Sequence, residues 1–136
     1  MTNQISVTSL EKGFKKSERK IKSEAAKILE ILKQKKVSAA VFLANNSQMK
    51  LLNKKFRGKN KIADVLSFEE PFKFVNPDLK FKKIGEVYLN MEQPEKEFSK
   101  KFLLAHGLLH LLGYDHIKKS DAVKMEKMEK YIVSKF

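Results

Sequence analysis

No cysteine occurs among the 136 residues, which excludes disulfide staples and every thiolate-bound metal site, including the His/Cys/Cys zinc centre of nucleobase deaminases. A metal ion, if one is used, must sit on His, Asp or Glu. Proline and glycine are scarce, at three and five residues, so the chain is neither collagen-like nor a low-complexity tract. There is no run of about eighteen apolar residues to span a membrane. Met1 is followed by polar residues, not by the basic flank and apolar core of a signal peptide. A cytoplasmic protein with no membrane partner is therefore expected. Acidic residues are also in deficit, 16 Asp+Glu against 29 Lys+Arg, for a formal charge of +13. Such an excess favours polyanions through phosphate contacts and counterion release, nucleic acid first among them. All the basic residues except Arg19 and Arg57 are lysine, and lysine also makes merely solvated surface, so bulk charge alone does not define a binding site.

At this length, with 42% hydrophobic residues, one domain with one core is expected. The stretch 17–34, SERKIKSEAAKILEILKQ, spaces Ile21, Ala25, Ile28, Leu29 and Leu32 along one helical face, with Ser17 as N-cap. VSAAVFLA (37–44) reads as a strand, and NNS then caps a short helix through Met49, Leu52 and Phe56. IADVLSFEE (62–70) and IGEVYLN (84–90) read as strands on either side of a loop with the turn signal NPD at 76–78. Pro94 opens a helical run through 112, and Ser120 opens a last amphipathic helix with Met125, Met128 and Ile132 on its core face. QISVTSL near the N-terminus adds an edge strand. The order β-α-β-α-β-β-α-α predicts an α+β domain: a small mixed sheet packed against several helices, with a histidine-bearing helix at its centre.

All three histidines fall within HGLLHLLGYDH, residues 106–116. On a helix, His106 and His110 share a face one turn apart, so both can offer a ring nitrogen to one ion. Gly113 follows, and a glycine past a helix end accepts the left-handed turn that folds the chain back. His116 can then complete three-coordination, leaving a fourth position for water or substrate. Histidines at i, i+4 and i+10 with glycine at i+7 reproduce the ligand frame of the metzincin proteases, but the glutamate that serves those enzymes as general base is Gly107 here. Asp115 is a candidate to orient a ligand imidazole. The surrounding leucines, from Leu103 to Leu112, read as packing faces that hold the helix rigid.

These residues closely resemble the H-G-x-L-H-L-x-G-Y-D-H signature of the YbeY family, bacterial metal-dependent single-strand endoribonucleases of rRNA maturation. LNKKFRGKNKIADVLSFEE (52–70) resembles that family's L-N-x-x-x-R and T-D-V-L-S-F blocks, and IGEVYLN its G-D-I strand. Ala63 stands where the family has threonine, which removes a hydroxyl beside Asp64. Glu86 stands where it has aspartate, which keeps the charge on a longer arm. The resemblance implies that His106, His110 and His116 hold one divalent, zinc-like ion and that Arg57 lines the active cleft. It also implies single-stranded RNA or rRNA as substrate, with the ribosome or its small subunit as partner. Asp64 and Glu86 are further candidates beside the ligands.

Arg57 stands out on its own chemistry, because its guanidinium binds phosphate in a planar, bidentate way that lysine does not. With Lys54, Lys55, Lys59 and Lys61 around it, KKFRGKNK reads as a phosphate-clamping loop, and the long basic helix at 17–34 is expected to help hold the strand. Two alternatives remain: a non-catalytic rRNA-binding assembly factor whose metal is structural, with Asp115 or Glu86 as closing ligand, and a metal-dependent hydrolase of another substrate. A monomer is preferred, although the last helix can also pair with a second subunit.

Overall fold

In a computed structural model, residues 3–70, 81–93, 99–114 and 119–136 are described, the last group with side chains from 121 onward. The NPD turn, Pro94, Asp115 and His116 lie outside them, as does the Ser120 side chain. In chain order the elements are β1 (Gln4–Ser9), a 3-10 helix (Lys12–Ser17), α1 (Glu18–Ile31), β2 (Val37–Ala44), α2 (Asn46–Arg57), β3 (Val65–Glu69), β4 (Lys82–Asn90), α3 (Lys100–Leu111) and α4 (Lys119–Ser134). The predicted order of strands and α-helices is borne out. The sheet is mixed, with strand order β1-β2-β4-β3: β2 runs parallel to β1 and β4, and β3 runs antiparallel to β4. β1 is the expected edge strand, and β3 forms the other edge. Among the described residues no helix is long and apolar enough to cross a membrane.

Local chemistry explains most boundaries. At α2 the Asn45 side chain accepts from the Gln48 N–H while the Gln48 side chain accepts from the Asn45 N–H, a reciprocal capping box. Gly58, at φ 68°, ends that helix in the left-handed conformation. The segment expected as a basic loop is therefore divided. Lys54, Lys55 and Arg57 occupy the last turn of α2, where cations meet the negative helix end, and Lys59 and Lys61 follow in the loop. Ser17 stands at the N-cap of α1 but makes no capping bond, because the 3-10 helix before it runs straight into α1. Instead the Glu18 carboxylate accepts from both the Ser9 N–H and the Ser9 hydroxyl, tying α1 to the end of β1. α3 starts at Lys100, capped by the Ser99 hydroxyl.

The core lies between one face of the sheet and α1, α3 and α4, and contains the predicted stripes Ile21, Ala25, Ile28 and Leu29 of α1 and Met125 and Ile132 of α4. α3 is apolar nearly all round because it is covered on several sides, by β3 and β4, α1 and α4. Gly107 makes its approach to the sheet possible. A Cβ there would lie 2.8 Å from Val87 Cγ1 and 3.2 Å from Val65 Cγ2. The position that holds glutamate in the metzincin frame thus faces the sheet, where no side chain fits. Gly107→Ala sets a helix-propensity gain of about 1 kcal/mol against overpacking of about 1–3 kcal/mol. Overpacking prevails, since the stiff β-branched Val87 and Val65 cannot turn away. A lower urea midpoint is expected for this variant; an equal or higher midpoint would show that α3 has room to lift.

Candidate active site

α3 ends in a Schellman motif: the Gly113 N–H donates to the His110 carbonyl and the Tyr114 N–H to the Leu109 carbonyl, with Gly113 at φ 98°. This is the chain reversal expected from the glycine, and it leaves Tyr114 packed against the core beside the two histidines. His106 and His110 stand on one face of α3, their rings 4.7 Å apart, and their Nε2 atoms approach to 3.2 Å. Two nitrogens at zinc distances of about 2.0–2.1 Å, subtending a tetrahedral angle, are about 3.3–3.4 Å apart. The pair therefore fits a shared ion closely. His116, the third histidine of the frame, and Asp115 lie outside the described residues, and among the described residues no group of three His, Asp or Glu converges on one point.

A residue missed in the sequence completes the histidine pair. Glu129 of α4 is 6% exposed, and its Oε2 lies 3.3 Å from His106 Nδ1. A carboxylate at this distance favours a proton on Nδ1, the tautomer that turns the Nε2 lone pair of His106 toward the shared point. Around an ion, both Nε2 atoms would present lone pairs. The signal in the sequence was a carboxylate inside the apolar stripe of α4, between Met128 and Ile132. A charged group on a core face needs a partner.

The histidines open into a cleft of about 810 Å³ that wraps the exposed edge of β3. Its opposite wall comes from α2 and the loop after it, with Asn53, Phe56, Arg57 and Lys59, and its floor from Val65 to Glu69. Arg57 donates to the Ser67 carbonyl at 2.6 Å and lies 5.3 Å from the centre of the Phe68 ring. One of its five N–H groups is thereby committed, and the guanidinium is braced against the edge of β3. Asn53, buried at 6% exposure, donates to the Lys61 carbonyl, and the Lys59 N–H donates to the Asn53 carbonyl, so the basic loop is pinned to α2.

The other predicted residues are placed differently. Lys54, Lys55 and Lys61 are exposed on the same basic segment but do not line the cleft. Asp64 is exposed at the entry to β3, where its carbonyl accepts from the Asn90 N–H. Glu86 is not brought to the histidines. On β4 the side chain of Val87 meets α3, so Glu86 stands on the opposite face and borders a separate groove near β1. There it raises the pKa of Tyr88, whose phenol is held above its ordinary value of 10.0 first by burial and then by the Glu86 charge. α1, expected to help hold the strand, packs on β1 at the sheet edge farthest from the cleft.

Three comparisons with known proteins give the chain's family and fold. The family model described as "Endoribonuclease YbeY" matches residues 2–136. The endoribonuclease YbeY of Pelagibacter ubique is 44% identical over 107 residues, covering 72% of this chain and 69% of that protein. That of Thermodesulfovibrio yellowstonii is 34% identical over 96% of this chain and 95% of its own. A Thermotoga maritima protein whose structure was determined in solution superposes with a TM-score of 0.54 at 28% identity, covering 97% of this chain and 91% of that one. With a family match across nearly its whole length and relatives this similar, the chain belongs to the YbeY endoribonuclease family.

Proposed function

We propose that this RNA-cleaving hydrolase is a metal-dependent, single-strand-specific endoribonuclease acting in rRNA maturation, with His106, His110 and His116 holding one divalent, zinc-like ion. The observation that carries the reading is the convergence of the two Nε2 atoms at 3.2 Å in the cleft that also holds Arg57 and Lys59. Bound there, a divalent ion supplies Lewis acidity toward a phosphoryl oxygen and makes a water more acidic. The chain's own groups do the rest. Arg57 and Lys59 take the phosphates of the strand, and the braced guanidinium meets the charge that develops on the phosphoryl oxygens during attack. Glu129, 3.3 Å from His106 Nδ1, holds the orientation of the ring, so the ring does not have to turn before it acts as ligand. The nucleophile is water or the neighbouring 2′-hydroxyl, and the product ends distinguish them, since only the 2′-hydroxyl route leaves a cyclic 2′,3′-phosphate.

Glu86 borders a groove on the far side of the sheet, so of the two closing ligands a structural metal would use, Glu86 gives that alternative no support, while Asp115 lies outside the described residues. Chelation tests the difference. A catalytic ion predicts that stripping the metal abolishes cleavage of a defined single-stranded RNA while RNA binding and the circular dichroism spectrum persist. Unfolding on chelation, or cleavage that continues without metal, would overturn the reading. Glu129→Gln keeps shape and hydrogen bond but removes the charge that strengthens the ligand. We expect zinc affinity, measured by chelator competition, to fall about 10- to 100-fold. Unchanged affinity would reduce Glu129 to a packing partner.

A further inference from the structure

Phe56 is unexplained by anything above. It lies one residue before Arg57 on the last turn of α2, is 56% exposed, and lines the same cleft as the two histidines. Its predicted place was in the helix's apolar stripe, yet Met49 is fully buried and Leu52 partly buried while the ring of Phe56 stays in solvent. The ring is not loose. It meets Phe68 of β3 edge to face, with centroids 5.4 Å apart, and Phe68 in turn meets Tyr88 at 5.7 Å, so a ladder of aromatic rings anchored in the sheet supports it from one side. Its surroundings are cationic: the Lys55 ammonium is 5.3 Å from its ring centre, the Arg57 guanidinium lies over the neighbouring Phe68 ring, and Lys59 follows on the rim. A protein-docking surface of apolar character would not be ringed by lysines. An aromatic face braced from below and flanked by phosphate-binding cations is the combination that holds one unpaired base while the backbone runs through a basic groove.

We propose that Phe56 is a base-stacking platform for the substrate: the face of one unpaired nucleobase lies on the ring while Arg57 holds an adjacent phosphate. The proposal rests on the RNA reading above and deepens it by giving a physical cause for single-strand selectivity. A base within a duplex is stacked and paired, so it cannot reach the ring without being extruded.

The test is single-turnover cleavage by the metal-loaded full chain, reading the RNA concentration at half-maximal rate and the maximal rate separately, for wild type, Phe56→Ala and Phe56→Trp. Each is run on a defined single-stranded RNA and on a series carrying one abasic ribose at successive positions. Stacking predicts a half-saturating concentration about 5- to 150-fold higher for Phe56→Ala, with the maximal rate little changed and Phe56→Trp restored to wild type. It also predicts one abasic position that weakens wild type by a similar factor and adds nothing to Phe56→Ala. This loss of additivity would not follow from a merely structural role. If Phe56→Ala saturates like wild type, or remains sensitive to every abasic position, the proposal is overturned while the nuclease reading stands, and the ring becomes a candidate protein contact. No cleavage by wild type would overturn both.

Discussion

Replacing His106 with alanine is expected to reduce cleavage of single-stranded RNA by about 10³-fold or more. The reduction follows from the proposed ion. If His106 is one of its three ligands, its loss weakens that site, and with it goes transition-state stabilisation worth several kcal/mol, each 1.36 kcal/mol being about tenfold in rate. The variant carries a second consequence, because the Glu129 carboxyl would be left at 6% exposure without its partner 3.3 Å away. A buried group left unsatisfied destabilises by about 1–3 kcal/mol, so the melting temperature should fall as well. His110→Ala separates the two effects. Its Nε2 meets that of His106 rather than the carboxylate, and it should lose activity comparably with a smaller change in melting. Full cleavage by either variant would remove the histidine pair from the chemistry.

Arg57→Ala is expected to cost about 10²- to 10³-fold in the maximal cleavage rate, the range for deleting one donor that meets developing charge. Arg57→Lys should recover only part of this. Lysine keeps the cation but has neither the planar fork for phosphate nor a second nitrogen to hold the Ser67 carbonyl while binding substrate. Arg57→Ala should also lower the salt dependence of RNA binding by about one phosphate contact. Lys59→Ala, which removes a point charge from the rim, should weaken binding with little effect on the maximal rate. If Arg57→Ala cleaves at the wild-type rate, the braced guanidinium is structural and the phosphate-clamp role is wrong.

Much of this site was legible in the sequence because it depends on local periodicity. The i, i+4 spacing puts His106 and His110 on one face whatever surrounds the helix, and Gly113 reverses the chain through its own backbone freedom. The Asn45 cap and the strand at 37–44 follow from the same short-range rules. What was not legible depends on which elements become neighbours. Glu86 alternates correctly along β4, but only the packing of α3 against Val87 shows that it faces away from the histidines. The basic face of α1 was assigned to the strand by its charge alone, and the sheet order β1-β2-β4-β3 puts it at the far edge. Glu129 and His106 are 23 residues apart, and nothing short of the α3–α4 contact pairs them, although a carboxylate within the stripe of Met125, Met128 and Ile132 marks a position in need of explanation.

Gly107 links the fold to the chemistry. Read as a motif, it is a missing protease glutamate; in the structure it is the contact that lets α3 lie close on β3 and β4. The helix carries the two histidines, Arg57 and Lys59 come from across the β3 edge, and Glu69 comes from β3 itself. A positioned general base contributes typically 10²- to 10⁴-fold, so a peptidase built on this frame without one would be slow. Phosphodiester cleavage is better matched to a site of imidazoles and cations, because its substrate brings the negative charge and, in RNA, an internal hydroxyl.

The most direct test is single-turnover cleavage of one defined single-stranded RNA by the zinc-reconstituted chain, the metal-stripped chain and His110→Ala at matched concentration. Cleavage is expected in the first, with its loss in both others and recovery of the stripped chain when zinc is returned. Equal cleavage in all three would contradict the claim that the histidine pair and its ion perform the reaction.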